Sequence, residues 1–283
     1  MFLNNSLGYV FYLLLRNDWL WPFLPSYEKE QILRDNYIHN NERDDYANPE
    51  KYKQGESFYS DQNPAATYVG KWLQEALIEQ KPHRVLEIGP GSGFYTKLIL
   101  GVDSVKDYVA IDINGHFLEF IEPGLREWSE KENGRIYRTV NQRIEDYPGD
   151  QFDAIILMST IHHVPDREKL FKILANNLRK GGKLYSEDPT HYFPRILELL
   201  HKLKTDYLPN KVWKRRGMLA THHFCTYGEF KNLCWKIETI GISKIHFVCK
   251  NVALRDRLQK WMFSKKLAER YASKQVLTEF IKK

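Results

Sequence analysis

The chain has 283 residues, 42 of them Lys or Arg and 36 Asp or Glu, with 42% hydrophobic and 14% aromatic residues. This composition excludes disorder for the bulk of the chain and is enough for a sizeable core in one α/β domain with insertions or in two domains. Three cysteines, Cys225, Cys234 and Cys249, make no Cys-x-x-Cys pair, which excludes a structural zinc site and points to a reducing, cytoplasmic setting. The net charge of +6 is unevenly spread: residues 201–283 hold 19 basic and 6 acidic residues, against 23 and 30 in residues 1–200.

Residues 7–15 form the apolar run Leu-Gly-Tyr-Val-Phe-Tyr-Leu-Leu-Leu, followed by Trp19, Trp21 and Phe23. No Lys or Arg precedes the run and no small-residue cleavage site follows it, so it does not read as a secretory signal. It is also shorter than the roughly 20 apolar residues that span a bilayer. A helix packed on the domain or around a substrate is expected, with an interfacial anchor, and hence peripheral membrane contact, as the alternative. Residues 28–63 are polar and rich in Tyr and Asn, without a sustained apolar period, and read as a connector. Residues 1–63 together form an N-terminal lid or connector, and the main domain runs over 64–283.

Regular patterning begins at Asn63-Pro64, a cap residue followed by Pro at the first helical position, which opens a helix through Val69, Trp72, Leu73 and Leu77. Five short apolar runs then alternate with helical stretches: Arg84 to Ile88, Tyr108 to Ile111, Arg135 to Val140, Phe152 to Leu157 and Lys183 to Tyr185. Such alternation predicts an α/β fold, a mostly parallel sheet with helices on both faces. Residues 189–224 break it with Pro189, Pro194 and Pro209 and many aromatic and basic residues, and are expected to form an insertion after the fifth strand. Thr226-Tyr-Gly-Glu229 has capping-box spacing ahead of Phe230, Leu233, Cys234 and Ile237, and Gly241 is expected to stop that helix. Strand is expected over 242–248, an amphipathic basic helix over 254–268, and strand, with helix as the rival, over 276–281.

The chemistry concentrates at Val85-Leu-Glu-Ile-Gly-Pro-Gly-Ser-Gly93, an apolar strand running into glycines 89, 91 and 93 and then a helix. Glycines give such a turn its unusual dihedrals and allow a ligand close to the backbone, while the helix start offers N–H donors. A dinucleotide fingerprint needs Gly-x-Gly-x-x-Gly, and position 94 is Phe, which speaks against NAD.

Here the chain resembles the class I S-adenosylmethionine-dependent methyltransferases, whose first motif, acidic-x-Gly-x-Gly-x-Gly, is matched by Glu87, Gly89, Gly91 and Gly93. The resemblance covers about residues 64–188, with a weaker tail from 226, and implies a Rossmann-like seven-stranded sheet. It places Asp112, at the end of Tyr108-Val-Ala-Ile-Asp112, on the ribose hydroxyls and Ile113 beside the adenine. A helix-cap role is the bland alternative for Asp112, and Asn114 is well placed to cap the next helix. Gln142-Arg-Ile-Glu-Asp-Tyr-Pro148 sits where the family contacts the adenine, which implicates Ile144 and Arg143, although Arg143 replaces the usual acidic residue. Met158 ends the fourth strand of this cofactor site.

Methyl transfer needs aligned reactants more than covalent machinery, and positioning supplies about 7–11 kcal/mol of barrier lowering in favourable cases. A general base is needed only when the nucleophile carries a proton. The candidates are His191 and His222, on the expected insertion, and then His162, while packing is the bland reading for His162 or His163. A His/carboxylate cluster with Glu187 or Asp188 has no recognisable ligand spacing, so no metal is expected. The segment Met158-Ser-Thr-Ile161 lacks the carboxylates of magnesium-dependent relatives and the Asn/Asp-Pro-Pro-aromatic motif of DNA amino-methylating enzymes. The resemblance and these absences favour a small, apolar or aromatic acceptor, methylated on oxygen first, with nitrogen or carbon open. RNA methylation, prompted by the basic C-terminal part, a membrane-associated enzyme of lipids or quinones, and a non-catalytic S-adenosylmethionine binder are the alternatives.

Overall fold

The computed structural model describes Ser26 and residues 64–164, 166–189, 227–248, 259–260 and 275–283. Helix α1 (Pro64–Gln80) leads into β1 (Arg84–Ile88), α2 (Phe94–Leu100), β2 (Asp107–Asp112), α3 (Gly115–Glu130) and β3 (Ile136–Asn141). After a 3-10 turn at Ile144–Asp146 come β4 (Phe152–Met158), a second 3-10 turn at Ile161–His163, α4 (Arg167–Asn177) and β5 (Leu178–Pro189). Helix α5 (Tyr227–Lys236) and strands β6 (Ile240–Val248) and β7 (Gln275–Lys282) complete the described elements.

The strands form one seven-stranded sheet in the order β3-β2-β1-β4-β5-β7-β6. The pairs from β3 to β5 are parallel, while β7 runs antiparallel between β5 and β6. Side chains alternate across a strand, and both faces of this sheet are apolar. Leu86, Ile88, Val109, Ile111, Ile155, Leu157 and Leu184 meet α4 and α5 on one face through Phe171, Leu174, Phe230 and Leu233. Val85, Tyr108, Ala110, Ala154, Ile156 and Tyr185 meet α1, α2 and α3 on the other through Leu73, Leu77, Ile99, Leu118 and Leu125. Near-continuous apolar strands are what a parallel sheet covered on both sides requires.

Two details differ from the pattern of the sequence. Leu178-Arg-Lys-Gly-Gly, ahead of the strand expected over Lys183 to Tyr185, is part of β5 as a bulge, because the register jumps from Phe152↔Leu178 to Ala154↔Lys183. Gly181 takes φ +76°, and a Cβ on Gly182 would stand 2.8 Å from the Arg179 carbonyl oxygen, so the bulge packs backbone against backbone where a side chain does not fit. Helix α5 ends at Lys236, and Gly241 lies inside β6 rather than stopping the helix. The turn between them is closed by the Ile240 N–H donating to the Ile237 carbonyl. Residues 275–282 are the expected strand and not its helical rival, pairing with β6 throughout and with β5 over 275–281. The proposed lid, the 189–224 insertion beyond Pro189, the cap residues Asn63 and Thr226, and the basic helix over 254–268, apart from helical Gln259 and Lys260, lie outside the described residues.

At the amino-terminal edge of the sheet, Arg84 joins β1 to its neighbours by pairing with Asp150 and, at 2.6 Å, with Asp107, while its guanidinium lies 5.0 Å above the Phe152 ring. Toward the other side Phe171, Phe230 and Phe280 form a ring cluster with centroids 5.2–6.1 Å apart, joining α4, α5 and β7. Phe280 is fully buried. Phe280→Ala should therefore lower stability by about 3–5 kcal/mol, measured as a shift of the urea midpoint; a change below about 1 kcal/mol would mean that the C-terminal strand is not anchored through this cluster.

Candidate active site

The cofactor-site residues singled out in the sequence converge at the carboxyl ends of four adjacent strands, β3, β2, β1 and β4, where open α/β sheets place their ligands. Glycines 89, 91 and 93 leave β1 with φ of 72°, 52° and 79°. All three occupy the left-handed region, which explains the glycines better than composition could. Two are also required by contact. A Cβ on Gly89 would stand 2.7 Å from Thr160 Oγ1, and one on Gly93 would stand 2.8 Å from Ile121 Cγ2. The turn is held by the Gly89 N–H donating to the Ile111 carbonyl at 2.8 Å, and α2 starts as the Lys97 N–H reaches the Gly93 carbonyl.

Beneath this turn lies Glu87, 1% exposed. Its Oε2 accepts the hydroxyls of Thr96, from α2, at 2.7 Å and of Tyr108, from β2. Burial lifts the carboxyl to about 7, and the charge of Asp112 adds to the rise against the two hydroxyl bonds. Tyr108 is in turn pushed well up by burial and by Glu87.

Asp112 ends β2 on the same face as Tyr108 and Ala110. Its Oδ1 accepts the Asn114 N–H at 2.8 Å, and the backbone of Gly91 and Ile113 also donates to the carboxyl. The protein packed around Asp112 raises it to about 7 although the side chain still reaches solvent, the backbone donors pulling the other way. The helix cap falls on Asn114 and not on Asp112: Asn114 caps α3 by accepting the His116 N–H at 3.0 Å, and Asp112 stays partly exposed beside the glycine turn. Asn141 Nδ2 donates to the Asp112 carbonyl at 3.0 Å and fixes the end of β3 against it. Ile113 follows, half-buried.

Ile144, 4% exposed, opens the 3-10 turn after β3, and Arg143 before it pairs with Glu145 at 3.3 Å. Met158, 5% exposed, ends β4 on the face shared with Glu87. His162 is 6% exposed, its Nδ1 lies 3.0 Å from Asp188 Oδ1, and its ring stacks on that of His163 at 4.1 Å. His191 and His222 lie outside the described residues. Among the described residues no group of three His, Cys, Asp or Glu stands close enough to hold a metal.

Sequence reasoning missed the exit of β4. Ser159 has φ +53°, rare for a residue with a Cβ. Its N–H donates to the Glu187 carbonyl at 2.6 Å and its hydroxyl to Glu187 Oε2 at 2.5 Å. Thr160 Oγ1 is within bonding distance of the Ile88 and Met158 carbonyls, at 3.1 and 3.0 Å. A serine in a left-handed conformation leaves no mark in the sequence, unlike a glycine.

The chain belongs to the methyltransferase domain family, whose model matches residues 62–241. A malonyl-[acyl-carrier protein] O-methyltransferase of Chlorobium phaeovibrioides is 31% identical over 52% of this chain and 54% of its own length. A polyamine aminopropyltransferase of Caldanaerobacter subterraneus is 23% identical over 55% of this chain and 62% of its own. The chain thus spans less than two thirds of the curated relatives it matches. The magnesium protoporphyrin IX methyltransferase of Synechocystis PCC 6803 superimposes with a TM-score of 0.57 at 11% identity, covering 90% of this chain and all of that one. That likeness fixes the seven-stranded Rossmann-like architecture.

The buried proton of Glu87 gives a stability signature. The unfolded carboxyl ionises near its ordinary 4.5, whereas the folded one holds its proton to about 7. Below both values the group contributes no difference; between them the folded state binds the extra proton, so stability falls as pH rises, by at most about 3 kcal/mol in all. Glu87→Gln keeps an acceptor for both hydroxyls without the charge. Urea titrations from pH 4 to 8 should show the variant gaining on the wild type through that window, and a gap that stays constant with pH would place no proton on Glu87.

Proposed function

We propose that this protein is an S-adenosylmethionine-dependent methyltransferase acting on a small, apolar or aromatic organic acceptor, with oxygen the first choice of methylated atom. The observation that carries the reading is the left-handed turn of Gly89, Gly91 and Gly93 set directly beside the half-exposed Asp112 carboxyl. A side-chain-free turn that lets a ligand approach the backbone suits the amino-acid end of that cofactor, and a carboxylate with spare lone pairs suits its ribose diol. The donor set fits the group: among the described residues the Asp112 carboxyl receives backbone N–H donors and pairs with no cation, so two hydroxyls would complete its shell. Ile113, Ile144 and Met158 supply apolar cover for an adenine, with Arg143 at the rim.

The cofactor, when bound, supplies an electrophilic methyl on a sulfonium. The work left to the protein is alignment and exclusion of water. Glu87 does not touch the reacting atoms; it braces the turn from below. His162, His191 and His222 are the candidate bases for an acceptor that loses a proton, and residues 1–63 and 189–224 are assigned to the acceptor side. The O-methyltransferase names carried by the relatives from Chlorobium phaeovibrioides and from Xanthomonas axonopodis, the latter a ubiquinone biosynthesis enzyme, support oxygen and a small acceptor. Among the described residues no helix is long and apolar enough to cross a membrane.

Two measurements test this. Asp112→Ala should weaken S-adenosylmethionine binding by about 1.5–3 kcal/mol in titration calorimetry, since a charge-assisted hydrogen bond is lost; unchanged affinity would remove Asp112 from the cofactor site. Incubation with methyl-labelled cofactor and a metabolite extract should place label in small molecules. Label in RNA, or in nothing while the cofactor still binds, would overturn the acceptor class.

A further inference from the structure

Consecutive residues of a strand point to opposite faces of the sheet, and at the end of β5 both of them are carboxylates, Glu187 and Asp188, each fully buried. They grip the same neighbouring segment from its two sides. On the α1 face, Glu187 takes the Ser159 hydroxyl on Oε2, and its carbonyl takes the Ser159 N–H. On the α4 face, Asp188 Oδ1 accepts the His162 backbone N–H at 3.1 Å and lies 3.0 Å from His162 Nδ1. Between the two grips stands Thr160, whose Oγ1 occupies the space a Cβ on Gly89 would enter. Ser159 is held at φ +53° in the same stretch, a conformation of order 1–2 kcal/mol above the right-handed one for a residue with a Cβ. Such a conformation persists only where its surroundings over-determine it.

We propose that Glu187 and Asp188 are positioning residues that clamp the exit of β4, keeping Ser159 left-handed and Thr160 seated on Gly89, so that the cofactor turn is preset by β5 before any ligand arrives. The inference rests on the reading that this turn binds S-adenosylmethionine. Neither carboxylate touches the reacting atoms; they act through Ser159, His162 and Thr160. The arrangement makes the spatial gap between β1 and β4, at the place where the sheet's strand order reverses, a fixed rather than an adjustable dimension.

The test uses the full chain and S-adenosylhomocysteine as the probe in titration calorimetry, with affinities referred to the folded fraction found by urea denaturation. Glu187→Ala should bind about tenfold more weakly, because Ser159 then relaxes out of the left-handed region. Adding Ser159→Gly to it should recover the affinity, since glycine adopts that φ without strain. Where Glu187→Ala does not fold, the grip is read from Ser159 alone: Ser159→Gly should keep wild-type affinity, and Ser159→Val, whose branched Cβ is excluded there, should lose about tenfold. A wild type that does not bind the probe sinks the cofactor reading itself. A wild type that binds, with Glu187→Ala and Ser159→Val at equal affinity or with no recovery by Ser159→Gly, overturns the clamp.

Discussion

The carboxyl of Glu87 is the point on which the site depends. It closes β1, receives a hydroxyl from the first helix after the glycine turn and another from the neighbouring strand, and does so out of contact with water. An isolated buried carboxylate would be very unfavourable; two hydroxyl donors and a retained proton make it tolerable. Because Thr96 and Tyr108 spend their hydroxyls on the same oxygen, β1, α2 and β2 cannot shift independently. The glycine turn above it therefore starts from a fixed strand end and a fixed helix start. Its left-handed residues need that support, for a loop of three unhindered glycines has more conformational freedom to lose than any other.

A second constraint comes from the sheet. The order β3-β2-β1-β4 brings residues separated by tens of positions to one edge, with Glu87, Asp112, Ile144 and Met158 each on a strand end or just past it. Parallel pairing with both faces covered leaves the carboxyl edge as the one place where polar backbone groups of several strands open toward a ligand. The opposite edge is closed by charge: Arg84, Asp107, Asp150 and Arg138 pair with each other there. Chemistry and bracing thus occupy opposite ends of the same strands, and the apolar layers between them transmit position without contributing groups.

What the sequence revealed follows the range of the interaction concerned. The glycine turn, Asp112 and the Asn114 cap are local devices, each settled by residues a few positions apart, and they were legible. The parallel strands were legible as apolar runs, although β5 was read too short because a bulge over Arg179 to Gly182 resembles a turn. Gly241 misled for a related reason: glycine marks a helix stop only if the helix reaches it, and the α5 helix had already ended at Lys236. The pairing of β7 between β5 and β6 could not be read, since an amphipathic eight-residue run near a terminus serves as strand or helix until its partners are known. Least legible was the β4 exit. Thr160 meets the Ile88 carbonyl across 72 positions and Ser159 meets Glu187 across 28, and neither side chain carries a compositional signal.

The distribution of strain and charge suits the proposed reaction, in which a ligand is aligned rather than attacked. Methyl transfer, the reaction proposed for this site, gains most from fixed geometry, and buried carboxylates that accept hydrogen bonds from defined partners supply it: Glu87 below the turn, Glu187 and Asp188 beside the adjacent strand exit. Each is buried, and Glu87 and Asp188 have their acidity weakened by that burial; the contacts they make are hydrogen bonds accepted from defined partners. Asp112 is the contrasting case, a carboxylate at the same edge that stays half-exposed with acceptor capacity to spare. In the proposed reading, exposure separates the carboxylates that brace from the one that binds, since their residue types do not, and Asp112 could be picked from the sequence only through its place at the end of β2.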